Sequence, residues 1–542
     1  MTNLIHQPIG WLTAVCVLSL GFANTAAAEA PTGPAGPSAS SSATKSEGPA
    51  GLKVSVKAST GVHATDNSDL RALDESSDRA IIDSDDRRTF GHSDILATFS
   101  YDVRPDVDLQ VQTRFNAIWR EDMLGRSAGS AGDLSFYQLN IGYSLLKSKA
   151  ADISIRMGRQ PFSIGGVPRD YMMSGTLDAL TATADFKGAG RLRLLGVDFF
   201  GGNSLPETGY RFYRDGRQTT YNLRGETNTL RTGLVYELDN AAQPSLPIEA
   251  RAYYFYATIG GGPIEESGAD ITYGGALGNY RDRDYQHMAG VRAAYIGDFG
   301  STNLKLFGEF AMSMGIDRKP TTDRNVDTKG NAFGGGLVTD VKVGGKTTLS
   351  FGADFYHFDG AQYASDGLEF ERGFVGFMGA RIGGGSVGRY LAWRPASHVD
   401  ASGVTYAPHD QARVAGTEFL HANLGLSHGK VSLSVDYWNF LKDTGTTFLD
   451  LPNLDSLPEP PFGHTRAEFA AQERLGKSLG QAIDAELKLA MNEALSFVVA
   501  GGVFLPGEYY EVIVDRVAGN QQTAQGGQEM FWAASGGMQV SF

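Results

Sequence analysis

The residues of this sequence best placed to do chemistry are its arginines. Arg114, Arg156, Arg193, Arg231, Arg251 and Arg292 lie in segments where apolar and polar residues alternate, and each falls in the polar phase. A planar guanidinium grips carboxylate, sulfate or phosphate groups through paired N–H donors. A row of such groups suits passage, because several weak sites hand an anion on where one tight site would hold it. Lys53, Lys57, Lys305, Lys342 and Lys488 share this phase. So do Glu249, Glu309, Asp484 and Glu486, which makes ion pairing that braces a wall the competing role. At Arg193 the pair Leu194-Leu195 interrupts the alternation.

Other chemistries find little support. There is no G-x-S-x-G or H-E-x-x-H pattern, and the only cysteine is Cys16. His63, His287, His357, His421 and His428 are scattered, and His421 and His428 read as interface or loop residues. The stretch Asp66–Asp86 gathers Asp66, Asp69, Asp74, Glu75, Asp78, Asp83, Asp85 and Asp86 without metal-ligand spacing, and reads as a solvated loop. No catalytic residue, metal site or cofactor is expected. A net charge of -14 argues against a nucleic-acid partner, which requires a basic footprint.

The elements that must position the arginines are strands. Val54-x-Val56-x-Ala58-x-Thr60-x-Val62, Leu109-x-Val111-x-Thr113-x-Phe115, Leu349-x-Phe351-x-Ala353-x-Phe355 and Ile483-x-Ala485-x-Leu487-x-Leu489 alternate with period two. Their polar phase carries Lys53, Gln112, Arg114, Asn140, Asp484 and Lys488. Soluble sandwiches use strands of about five or six residues. These run longer, as tilted bilayer-spanning strands of about 9–11 residues do. In lipid every backbone group must be paired, so the sheet must close on itself. The apolar phase then faces lipid and the arginines face a lumen. Connections alternate between short (Arg104–Asp108, Lys187–Gly190, Gly429–Lys430) and long (Gln160–Thr176, Gly260–Asp284, Leu441–Ser478), the pattern of outer-membrane barrels. About 18 strands are expected, or about 20 if Glu371–Arg394 forms a hairpin. The fold class is all-β, a transmembrane antiparallel barrel spanning residues 52–542 with long extracellular loops.

Trp11–Phe22 is a short apolar run followed by Ala-Asn-Thr-Ala-Ala-Ala, which reads as a signal peptide over residues 1–28. Residues 29–51 form a Pro/Ser/Gly-rich linker. The chain ends Met530-x-Trp532-x-Ala534-x-Gly536-x-Met538-x-Val540-x-Phe542. A last strand closing on an aromatic resembles the signal that barrel-assembly machinery reads. The 69 glycines, about twice the usual share, fit curved, tilted strands, and the aromatics fit interfacial girdles.

Met157-Gly158-Arg159-Gln160-Pro161-Phe162, with Arg169 beyond it and a return strand from Asp178, resembles a motif of the alginate export family. Gly480–Leu487 followed by Gly502-Val503-Phe504-Leu505-Pro506-Gly507 resembles that family's final hairpin. The resemblance implies a monomeric barrel of about 18 strands that conducts or secretes an anionic polysaccharide, with Arg159 and Arg169 at a constriction. A general or ligand-selective porin for small anionic solutes is the alternative, and it predicts a large loop folded into the lumen and a trimeric assembly. The expected partners are the outer-membrane bilayer, the anionic polymer or small anion, and the assembly machinery through Phe542.

Overall fold

In a computed structural model of the chain the described residues are strands and turns, with no helix among them. The structure describes residues 52–66, 88–123, 126–128, 131–164, 174–198, 209–214, 217–222, 228–238, 247–260, 283–319, 324–360, 362–363, 369–371, 374, 398–399, 405–406, 417–442, 478–507 and 530–542. Residues 1–51, Arg169 and all of the acidic stretch except Asp66 lie outside them. Of Glu371–Arg394, only Glu371 and Phe374 are described.

The wall is a closed antiparallel barrel of 18 strands, the lower of the two expected counts. In chain order they are β1 (Leu52–Asp66), β2 (Arg88–Arg104), β3 (Val107–Met123), β4 (Ala131–Lys147), β5 (Ala151–Ser163) and β6 (Ser174–Phe186). Then come β7 (Gly190–Asp198), β8 (Asn228–Leu238), β9 (Ile248–Gly260), β10 (Arg283–Asp298), β11 (Thr302–Lys319) and β12 (Arg324–Lys342). The last six are β13 (Thr347–Phe358), β14 (Thr417–His428), β15 (Val431–Lys442), β16 (Ser478–Ala490), β17 (Leu495–Pro506) and β18 (Phe531–Ser541). Each strand pairs with the next, and β1 closes the ring on β18 from Lys57↔Ser541 to Asp66↔Trp532. Phe542 adds two backbone hydrogen bonds to Val56 at this seam.

The outer face is apolar, as a barrel in lipid requires. Val54, Phe99, Leu139, Ile141, Leu234, Val291, Phe310, Leu349, Leu424, Leu433, Leu487 and Val499 all present exposed side chains. Tyr101, Tyr143, Tyr236 and Tyr295 ring the short-turn end. Polar groups mark the other boundary. His287 bonds the Tyr254 hydroxyl at 2.8 Å, and His357 stacks on Phe333 while holding Glu418 at 2.8 Å. A closed barrel with this belt is a multi-pass protein of the Gram-negative outer membrane, its short turns on the periplasmic side.

The inner face explains part of the unusual glycine count. Tyr253 lies flat across Gly290 of the neighbouring strand, and Tyr356 across Gly334; a Cβ at either glycine would run into the ring. Thus inward aromatics pack sideways over inward glycines and leave the wall thin. Curvature and girdles, the roles expected from sequence, account for only some of these residues. Gly290→Ala should push Tyr253 off the wall and destabilise the barrel by about 1–3 kcal/mol. A lower melting temperature of the folded band on gel electrophoresis would show it, and an unchanged one would contradict the packing.

Candidate functional site

The inner wall carries a series of ion pairs between strands, and the register that builds them also sorts the expected residues. Arg114 on β3 holds Asp94 of β2 through two hydrogen bonds of 2.8 and 2.9 Å. Arg156 on β5 donates to Asp108 at 2.8 Å and to the side-chain amide oxygen of Asn140. Lys305 donates to Glu249 at 2.6 Å. Arg231 stands opposite Ala257, in the register phase of Val235 and Glu237.

Three guanidiniums converge on Glu237 of β8. Arg193 donates to it at 2.7 Å, Arg251 lies 3.6 Å away, and Arg191 lies 3.9 Å away while also holding Asp185. The sequence reading missed Arg191, although it shares the phase of Arg193. Leu195, which interrupted the alternation on paper, keeps the inward phase and is buried.

Two further groups are sealed into the wall. Arg292 donates to Glu309 at 3.0 Å, and the Tyr253 and Tyr356 hydroxyls donate to the same carboxylate at 3.2 and 3.3 Å. Both side chains of this ion pair are almost wholly buried, at 3% and 1% exposure. His421 presents Nδ1 to Asp354 at 2.7 Å and Nε2 to Asp436 at 2.8 Å, and its ring stacks on Trp438 at 4.0 Å. His421 is therefore a buried member of the inner wall, which corrects its reading as an interface or loop residue. His428 lies at the end of β14 and bonds Thr347.

Arg159 lies at the end of the β4–β5 pairing. It pairs with Leu139 and shares the outward phase of Met157, one face away from Arg156. Its guanidinium clasps Asp178 of β6 at 2.7 and 2.8 Å. The residues around it form a fork. Pairing of β4 with β5 stops at Leu139↔Arg159, while β5 and β6 continue together to Ser163↔Ser174. Gly158 bends the strand there with φ 115°, a conformation L side chains avoid. The parting of the strands strips partners from backbone groups, and side chains replace them. Arg159 donates to the Phe136 carbonyl at 3.4 Å. The Gln160 amide reaches the carbonyls of Arg156, Gly158 and Ala179.

The freed hairpin turns inward. Phe162 meets Phe255 of β9 edge to face at 6.0 Å, and the Arg193 guanidinium lies 5.0 Å above the Phe162 ring. Arg193 also donates to the Ser163 carbonyl at 2.7 Å. Phe255 and Arg193 belong to the inward phase of the wall, so the described stems of the hairpin, residues 160–164 and 174–177, lie inside the barrel. Phe162, Ile164 and Leu177 are buried there. Phe374, beyond β13, likewise packs on the inward ring of Phe358 at 5.7 Å.

No family model matches the chain and no curated protein does, so the likeness to the alginate export family rests on its two short motifs. Among solved structures, OccAB2 of Acinetobacter baumannii is 10% identical with a TM-score of 0.43, covering 90% of this chain and 98% of that one. OccK8 (OprE) of Pseudomonas aeruginosa is 11% identical with a TM-score of 0.42, covering 91% and 98%. The outer membrane protein OprD of Pseudomonas aeruginosa is 9% identical with a TM-score of 0.41, covering 91% and 94%.

The ion pairs make a clear energetic claim. Removing one partner of a buried pair strands the other charge and costs about 3–5 kcal/mol, whereas replacing both with apolar groups costs much less. Glu309→Ala should therefore lower the urea midpoint far more than Arg292→Met with Glu309→Leu. Equal losses would show that the pair is not buried as described.

Proposed function

We propose that this barrel is a ligand-selective channel for small anionic solutes. The observation that carries the reading is the hairpin seated inside the barrel on Arg193. A barrel of this strand number encloses a lumen wide enough for an aqueous channel, so selectivity needs something to narrow it. A hairpin lying on the inner wall does so, and it is the feature the small-solute reading calls for.

The wall chemistry supports the same class. Arg191, Arg193 and Arg251 offer many N–H donors around Glu237, with Asp185 also holding Arg191. A passing carboxylate or phosphate can exchange with the Glu237 carboxylate on one guanidinium after another, with no tight stop. A secretion path for an anionic polymer fits less well. Arg114, Arg156 and Arg292 already hold carboxylates, and a folded-in hairpin obstructs a thick chain more than a small solute.

Planar-bilayer recordings under a salt gradient test the reading. The expected result is an anion-preferring reversal potential, with Arg191→Gln moving the anion-to-cation ratio toward unity. Liposome swelling should admit small dicarboxylates and exclude uronic-acid polymers. Cation preference in the unmodified protein would overturn the anionic assignment. Passage of the polymer would restore the export reading.

A further inference from the structure

The seat of the hairpin and the anion site share one residue, and that sharing has a consequence for gating. Arg193 Nη2 spends its two hydrogens on the Ser163 carbonyl and on Glu237, each at 2.7 Å. Its guanidinium face is taken by the Phe162 ring. Its Nε is buried and has no hydrogen-bond partner among the described residues. The group is therefore committed to the hairpin along one edge and unsatisfied along another. A guanidinium satisfies an anion best through two parallel N–H donors, which requires the group to turn toward it.

From this geometry we infer that a small anion and the hairpin compete for Arg193, so that solute occupancy loosens the constriction. This rests on the anion-channel reading above and adds its regulation. An anion arriving at the Arg191–Arg193–Arg251 group draws Arg193 round and satisfies Nε. The turn breaks the hydrogen bond to Ser163 and lifts the guanidinium off Phe162. Among the described residues Arg193 is the hydrogen-bond partner that holds Ser163 to the wall, and Phe162 retains its edge-to-face contact with Phe255. The ligand thus favours the unseated hairpin through differential contacts, as any population shift requires. By reciprocity, a seated hairpin weakens the anion. The Arg114–Asp94, Arg156–Asp108 and Arg292–Glu309 pairs are built between residues outside the described hairpin stems, so they stay in place.

The test uses the full-length protein in detergent micelles, with inorganic phosphate and glutarate as probes. Leu177→Cys places a thiol on the hairpin where it is buried, and Ile164→Cys does so on the other stem. Either variant serves if the other fails to fold. The readout is the rate of thiol modification by a small maleimide, with matched sodium chloride as the ionic-strength control. The probes should raise that rate several-fold. In an Arg193→Gln background the rate should start high and stop responding. Calorimetric titration of the same samples separates the failures. Binding without faster modification overturns the competition while leaving the channel reading intact. Slower modification shows that the anion seats the hairpin, and also overturns it. No binding at all overturns both.

Discussion

Everything in this molecule answers to one constraint: a backbone group in hydrocarbon must find its partner within the protein. Closure of β1 on β18 meets it for the wall as a whole. The fork at Gly158–Gln160 is where the ring opens locally, since β5 leaves β4 while β4 runs on beside β3. There the constraint is met by side chains instead. Arg159 serves a β4 carbonyl, Asn140 donates to the Arg159 carbonyl at 2.8 Å, and Gln160 covers three more. The inward hairpin exists because these substitutes exist. The same rule, applied to charge, requires every buried carboxylate or guanidinium inside the wall to have its counterpart.

Much of this was legible from period and phase. The alternation located the strands, the lengths of the connections oriented them, and one phase count put Arg114, Arg156, Arg193, Arg231, Arg251 and Arg292 on the inner face. Phase also bears on Arg159. Counting from Arg156 through Met157 sends Arg159 outward, whereas the family resemblance placed it at a constriction. In the structure the motif's residues do structural work: glycine for the bend, arginine for the clasp, glutamine for the carbonyls. The partners were harder to read. His421 faces inward by the count from Leu420 and Ala422, yet Asp354 and Asp436 become its neighbours only through register across three strands. The contact of Ser163 with Arg193 left no periodic trace at all. It arises from a strand leaving the sheet, and period-two patterning describes only strands that stay in it.

The glycine and aromatic content has a similar double origin. Aromatics on the outer phase form the boundary rings expected of a barrel in lipid. Those on the inner phase, Tyr253 and Tyr356, lie across glycines and aim their hydroxyls at Glu309. The glycine makes room for the ring, the ring carries a donor, and the donor helps hold a buried carboxylate beside Arg292. A composition that looked like two independent tendencies is, at this place, one packing solution with an electrostatic product.

The charge distribution follows the same logic. A row of guanidiniums read from sequence suggests a uniformly basic lumen, but in the wall most of them face a carboxylate within hydrogen-bonding distance. The field of such a pair falls off faster than that of a single charge, and salt shortens its reach further. Solutes passing Arg114–Asp94 or Arg292–Glu309 meet little net attraction. The exception is Glu237, where three guanidiniums reach one carboxylate. The hairpin is seated at that same place. On the proposed channel reading, narrowness and positive charge therefore coincide: a solute pressed against the wall there would meet the guanidiniums where solvent screening is weakest. A filter of this kind needs no basic ring around the whole lumen. It needs one cation-rich patch and a device that brings the solute against it, and Arg193 belongs to both.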